Sequence, residues 1–231
     1  MMISDLIQRN PIRLFGDPAS PVLDPGDIGA ILARAGVGKT SFLVQLALDS
    51  LLRGRNLLHV SLDQPVRKVC LWYEEVFRKI TDEYGVTYTN DLWETILPHR
   101  FIMTFRPDTF EVSYFEERLN DLMEQGIFFP QIVLVDGLSF DVRARDVLSE
   151  FKITAREHGF PAWFTARAHM EDATGTDGIP SSIGHVADLF DLIVQLQYVE
   201  QEIHVDILKG KLPENTPSLV LDPSSFLIKQ A

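Results

Sequence analysis

The feature that most constrains this chain is the octapeptide ARAGVGKT at residues 33–40. Gly36 and Gly38 allow the main chain to wrap around a phosphate, so that successive N–H groups point at its oxygens. The Lys39 ammonium would reach the β- and γ-phosphates, and the Thr40 hydroxyl is a ligand for Mg²⁺. The octapeptide therefore predicts a phosphate-binding loop, although Ala replaces the first Gly of the usual pattern G-x-x-x-x-G-K-[ST].

The segments on either side of the loop support this prediction. Residues 28–32 form a short apolar run typical of a buried strand, and apolar residues then recur at helical spacing from Phe42 to Leu52. A glycine-rich turn between a strand and a helix would not by itself need Lys-Thr after its last glycine. The residues predicted to bind the nucleotide are Ala35, Gly36, Val37, Gly38, Lys39, Thr40 and Ser41.

Two carboxylates follow later apolar strands. Asp136 ends the run IVLVD at 132–136, the Walker B pattern, and would hold the water shell of Mg²⁺ opposite Thr40. The alternative role for this residue is an ordinary turn or capping aspartate. Asp63 follows the second predicted strand and could orient a water for attack on the γ-phosphate. The alternative is an N-cap for the helix that starts near Pro65, since Asp is a favoured cap.

Three basic residues are further candidates for contact with the γ-phosphate. Arg167 follows the predicted strand 162–166 and would emerge at the same edge of the sheet. A solvated or ion-paired arginine is an equal alternative. Lys209 and Lys211 follow a later β-like run, where lysines in a turn are usually only solvated.

The order of elements indicates the fold class. Strands alternate with helices up to residue 166, and consecutive β-like runs follow from residue 191 onwards. This order predicts a single α/β domain with a mostly parallel sheet flanked by helices and with antiparallel strands at the C-terminal edge. Its predicted parts are an N-terminal lead-in at 1–27, a nucleotide-binding core at 28–212 and a β-rich extension at 213–231.

Composition excludes several classes of protein. The formal net charge is −12, and no Lys or Arg occurs from residue 170 to 208, so nucleic acid is not an expected partner. No segment approaches the ~20 apolar residues that span a bilayer, so no membrane association is expected. The single cysteine, Cys70, excludes an intrachain disulfide, and a reducing, cytoplasmic location is the simplest expectation.

Taken together, residues 26–212 resemble the RecA-like ATPases, and within them the branch of the DnaB replicative helicases and KaiC. The segment ARAGVGKTSF is similar to the DnaB-type loop, which also begins with Ala-Arg. The tripeptide SLD at 61–63 lies where that family has Ser-Leu-Glu, whose Glu is the catalytic base. The segment ADLFDLIV at 187–194 is similar to the family's late aspartate followed by an apolar strand, and KGK at 209–211 matches the position of its Lys-x-Arg element.

The resemblance implies a RecA-like P-loop fold, ATP and Mg²⁺ as ligands, and a homo-oligomer that assembles through the nucleotide interface. Lys209 and Lys211 would then reach the γ-phosphate of a neighbouring subunit, as an arginine finger does. Asp63 is one methylene shorter than Glu, and Lys211 lacks the planar fork of Arg. Both departures predict slow hydrolysis, since a trans arginine can be worth ~10³ or more in rate.

The expected function is therefore an ATP-binding protein, a slow or regulated Mg²⁺-dependent ATPase, whose nucleotide state controls contacts with a protein partner. A DNA-dependent ATPase of the helicase or recombinase type is one alternative, although it would need a basic path for DNA. A nucleotide-binding scaffold without hydrolysis is another. A P-loop kinase would call for a lid with several arginines and an acceptor pocket.

Overall fold

The computed structural model describes residues 3–16, 21–86, 90–168, 175, 178–210, 212 and 217–230. Within these residues the chain forms one nine-stranded β-sheet. Its strands are β1 (Ile28–Ala33), β2 (Leu57–Ser61), β3 (Arg100–Thr104), β4 (Ile132–Asp136), β5 (Ala162–Arg167), β6 (Leu192–Val199), β7 (Glu202–Lys209), β8 (Leu219–Leu221) and β9 (Ile228–Gln230).

The strand order is β3-β2-β4-β5-β1-β6-β7-β8-β9. Neighbours from β3 to β6 are parallel, and β6 to β9 pair in antiparallel fashion. Strand β5 therefore separates β1, which leads into the glycine-rich loop, from β4, which ends in Asp136. The prediction of a mostly parallel α/β sheet with an antiparallel edge is confirmed.

Helices cover both faces of this sheet. Hydrophobic residues of α1 to α5 pack in one cluster, and those of α6 to α8 pack in a second cluster on the other face. The helices are α1 (Ile3–Arg9), α2 (Arg13–Gly16), α3 (Lys39–Leu52), α4 (Val66–Glu83), α5 (Asn90–Ile96), α6 (Val112–Glu124), α7 (Ala144–His158) and α8 (Ser181–Gly184). Among the described helices, none combines the length and the apolar character that crossing a bilayer requires.

Helix α3, which follows the loop, has the longest run of consecutive buried residues among the described helices. Every residue from Phe42 to Leu52 is buried, because the sheet, α4 and the last two strands surround it. Helix α4 instead buries one stripe that includes Val69, Tyr73 and Phe77. The loop therefore leads into a helix that is held in position by packing on several sides.

The end of the chain differs from the sequence prediction. The sequence predicts a β-rich extension at 213–231, but within it β9 begins only at Ile228, and Phe226 has a left-handed φ of 57°. The Asp222 carboxylate accepts hydrogen bonds from the N–H groups of Ser224 and Ser225, which closes a turn before β9. The alternation of apolar and polar residues could not reveal this turn, because Phe226, the apolar residue in it, faces another part of the protein.

Candidate functional site

The carboxyl ends of four parallel strands meet at one edge of the sheet. In the register, Ala33 at the end of β1 lies beside Arg167 at the end of β5, and Ser61 at the end of β2 lies beside Asp136 at the end of β4. Ligands of open α/β sheets bind outside this edge. The topology therefore brings together the segments that carry the predicted site residues.

The loop after β1 has the backbone of an anion-binding turn. Gly36 and Gly38 have φ angles of 80° and 91°, a region that other residues rarely adopt. Gly38 immediately precedes α3, and no described side chain caps the first N–H groups of that helix. The N–H groups and the positive end of the helix dipole are therefore directed at whatever occupies the loop.

Lys39 is the first residue of α3 and points along the loop toward β5. Its ammonium donates a hydrogen bond to the Ala166 carbonyl, with an N–O distance of 3.2 Å. Burial lowers the pKa of Lys39, while the nearby Asp136 carboxylate acts in the opposite direction. An anion beside this ammonium would favour its charged form.

Asp136 is only 5% exposed and is held by the neighbouring strand. The Thr165 hydroxyl donates to its Oδ1 at 2.5 Å and accepts the Gly137 N–H at 3.1 Å. Burial raises the pKa of Asp136, Asp63 adds to the rise, and the hydrogen bond from Thr165 opposes it. A divalent cation at this carboxylate would reverse the effect of burial.

Asp63 lies in a turn that faces Asp136. The Ser61 hydroxyl accepts the Gln64 N–H and donates to the Gln64 carbonyl, which fixes the turn. Helix α4 starts after Pro65 without a side-chain cap, so Asp63 does not act as its N-cap. A Cβ at Gly137, which has φ 91°, would lie 2.9 Å from an Asp63 oxygen. Glycine at this position therefore lets the two carboxylates approach each other.

A cavity of about 580 Å³ joins these groups, and we call it the phosphate cleft. An adjoining cavity of about 510 Å³, the side groove, runs from the glycine-rich loop along α4 to the Phe226 turn. Both cavities share the side chains of Lys39, Thr40, Asp63, Trp72 and Arg167, and only the phosphate cleft includes Asp136.

One predicted residue, Lys209, is not part of this arrangement, and another, Lys211, is not among the described residues. The Lys209 ammonium donates to the carbonyls of Ala187 and Asp188 of its own chain, at 2.9 and 3.2 Å. Lys209 lines neither the phosphate cleft nor the side groove. Lys211 lies outside the described residues.

Several residues that line the two cavities were missed by the sequence prediction, among them Gln64, Trp72 and Phe226. Trp72 lies at the border of the buried stripe of α4, and this position in the helical pattern could have identified it as a candidate for the cavity wall. Gln64 had none, because its placement depends on the turn held by Ser61. Phe226 is separated from the glycine-rich loop by most of the length of the chain, so no local sequence pattern could connect the two.

The chemistry that the site can support is that of a phosphorylated ligand with a cation. Within the described residues, no group of three or more His, Cys, Asp or Glu side chains could enclose a metal ion. Mg²⁺ does not require such a group, because it usually takes one or two protein oxygens together with phosphate oxygens and water. Thr40 and Asp136 lie in one cleft and fit that mode of binding.

Comparison of the sequence with models of known protein families finds no match, and comparison with curated proteins finds none either.

Proposed function

We propose that this protein binds a Mg²⁺–nucleoside triphosphate, with ATP as the expected nucleotide, and hydrolyses it slowly as a nucleotide-controlled switch. The carrying observation is that Lys39, Thr40, Asp63 and Asp136 line one cleft, and that the glycine-rich loop lines the adjoining side groove. Lys39 would bind the phosphates, and Asp63 would orient the attacking water. Thr40 and Asp136 would be ligands of the metal ion, through a hydroxyl and a carboxylate respectively. The RecA-like fold proposed from the sequence assigns the same roles.

In this proposal each group has one task at the triphosphate. The loop N–H groups and Lys39 bind the phosphates, while Thr40 and Asp136 hold the cation. When bound, Mg²⁺ neutralises charge that develops on the phosphate oxygens. Asp63 accepts a proton from the attacking water, and Arg167, which is exposed at the mouth of the cleft, contacts the γ-phosphate.

Slow turnover is supported by two features. Asp63 has a short side chain for a general base, so the water is less well held. The Lys209 amine is bonded to carbonyls of its own chain and must exchange those contacts before it can reach a neighbouring subunit. ATP-dependent self-association through the nucleotide interface remains part of the proposal, and nucleic acid does not. The same two features favour a non-hydrolysing scaffold as the second candidate.

The test is steady-state phosphate release from Mg·ATP, with and without single-stranded DNA, using Lys39→Ala as the blank. Slow release that is independent of DNA and above the blank supports the switch ATPase. Release stimulated by DNA would replace it with the motor alternative. ATP binding without release would favour the scaffold, and nucleotide binding that survives in Lys39→Ala would overturn the site itself.

A further inference from the structure

Strand β5 lies between the two strands that lead to the groups expected to bind the triphosphate. It pairs with β1, which leads into the glycine-rich loop, and with β4, which ends in Asp136. Near its end, the Ala166 carbonyl accepts a hydrogen bond from the Lys39 ammonium, and the Thr165 hydroxyl donates one to Asp136. The end of β5 therefore contacts both the phosphate-binding lysine and the carboxylate expected to hold the cation.

The hydrogen bonds of Thr165 have a fixed direction. Its hydroxyl accepts the Gly137 N–H at 3.1 Å, and a backbone N–H can only donate. An ionised carboxylate can only accept, so the single proton of the hydroxyl is directed at Asp136 Oδ1, 2.5 Å away. Thr165 is 3% exposed, so water has little access to this pair. The hydroxyl thus presents one donor to the carboxylate at a defined place.

The surroundings of Asp136 make such a donor important. The Asp63 carboxylate faces it across Gly137, where a Cβ would lie 2.9 Å from an Asp63 oxygen, and two like charges at close range repel each other. Threonine is branched at Cβ, so its χ1 rotamer is restricted and its hydroxyl holds its position in the strand. Thr165 therefore offers a rigid attachment for a carboxylate that its nearest charged neighbour pushes away.

We infer that Thr165 is a positioning residue for the cation, which acts through Asp136 by holding its carboxylate in the orientation that Mg²⁺ binding requires. This inference rests on the proposed function. A partner of this kind orients a metal ligand without contacting the metal, and its loss typically weakens metal binding by about 10–100-fold. The alternative is that Thr165 only satisfies the Gly137 N–H, in which case its loss would affect the fold and leave the cation unaffected.

The experiment measures equilibrium binding of ATP to the full chain by calorimetry, first with EDTA and then across a range of Mg²⁺ concentrations. Thr165→Val removes the hydroxyl and keeps the branched shape, while Thr165→Ser restores a hydroxyl. Thr165→Ala is the second removal variant and takes the place of Thr165→Val if valine prevents folding. Thr154→Val is the matched control, because Thr154 is also 3% exposed and its hydroxyl bonds to the Glu150 carbonyl within α7. Urea unfolding measures the stability of each variant separately.

The expected effect is confined to the cation. Thr165→Val binds ATP like the wild type in EDTA, because Lys39 and the loop are unchanged. The Mg²⁺ concentration that gives half of the gain in ATP affinity rises by about 10–100-fold, and Thr165→Ser largely restores it. Thr154→Val follows the wild type at every Mg²⁺ concentration. In an Asp136→Asn background, Thr165→Val causes no further change in Mg²⁺ dependence, because it acts through that carboxylate.

Other outcomes separate this inference from the proposed function. An unchanged Mg²⁺ dependence in Thr165→Val would overturn the inference, and so would equal losses of ATP affinity with and without Mg²⁺, which indicate a structural role. A further change in the double variant would mean that Thr165 does not act through Asp136. Wild-type protein that binds ATP equally well with and without Mg²⁺ would also overturn the inference. Wild-type protein that binds no ATP under either condition would instead overturn the proposed function.

Discussion

Two lysines expected from the sequence to contact the γ-phosphate lie in contrasting regions. Lys39 is at the carboxyl edge of the parallel strands, and its amine bonds to one carbonyl, that of Ala166, within the phosphate cleft. Lys209 is at the end of β7, and its amine bonds to two carbonyls of the turn at 187–189. The Lys39 amine can replace its hydrogen bond to the carbonyl with one to a phosphate without moving far, while the Lys209 amine stabilises a turn.

The surroundings of each lysine explain the difference. Around Lys39 several charged groups are close together, and burial lowers the pKa of Lys39 and raises that of Asp136, which favours the neutral form of each. Around the 187–189 turn the charges are paired: Arg145 with Asp188 at 2.6 Å, and Lys152 with Asp191 at 2.7 Å. Perturbed pKa values make Lys39 and Asp136 candidates for contact with a ligand, whereas the paired charges hold the 187–189 turn in place.

The largest effect is expected for Lys39→Ala. The variant should fold and lose nucleotide affinity by at least a hundredfold, because the charge at the β- and γ-phosphates is removed. Calorimetry with Mg·ATP measures the loss, and Lys209→Ala serves as the comparison, with affinity within about threefold of the wild type. Similar affinities for the two variants would mean that the contrast between the two lysines has no functional meaning.

Asp63→Asn separates binding from turnover within the phosphate cleft. Affinity for Mg·ATP should change little, while phosphate release falls by about a hundredfold, the usual contribution of a positioned general base. Single-turnover phosphate release measures the chemical step directly. Turnover equal to that of the wild type would remove Asp63 from catalysis and leave Gln64, its neighbour in the cleft, as the next group to replace.

Asp136→Asn tests the cost of a buried charge in the phosphate cleft when neither nucleotide nor Mg²⁺ is added. The folded-state pKa of Asp136 is raised above 3.8, so its proton favours the fold at low pH and that contribution is lost as pH rises through the folded pKa. Without Mg²⁺, the variant should therefore be more stable than the wild type at pH 7.5, by about 1 kcal/mol. The gap should shrink at pH 4.5.

Urea unfolding at the two pH values measures this gap. Addition of Mg·ATP should reverse it, because only the wild type keeps the carboxylate that holds the cation. A wild type that is the more stable protein at pH 7.5 without Mg²⁺ would contradict the view that the carboxylate is destabilised by burial.

The smallest effect is expected for Lys209→Ala. The change removes two hydrogen bonds, one to the carbonyl of buried Ala187 and one to that of exposed Asp188, so the free energy of unfolding should fall by about 1 kcal/mol. Basal phosphate release should stay unchanged, as measured at protein concentrations that span the onset of any self-association. Release that drops only in the assembled protein would restore Lys209 to a role in a neighbouring subunit.

Local sequence was sufficient for the strand–loop–helix unit and for the ends of β2, β4 and β5. The reason is that parallel strands place their carboxyl ends at a common edge, so residues after each apolar run must gather there. It was insufficient for Thr165, which bridges Asp136 and Gly137, and for Phe226, which lies in a turn of the predicted β-rich extension. Their roles depend on partners far along the chain: the Ser41–Phe226 bond joins residues 185 positions apart.

The sequence by itself determined the α/β class, the mostly parallel sheet, the glycine-rich loop and the edge at which Lys39, Asp63 and Asp136 would meet. These follow from local periodicity, backbone freedom of glycine and the geometry of parallel strands. Only the tertiary structure decided that Lys209 bonds to its own chain and that Trp72 and Phe226 form the walls of the side groove. Such contacts depend on how the antiparallel edge curls back over α3, and no local pattern of residues encodes that path.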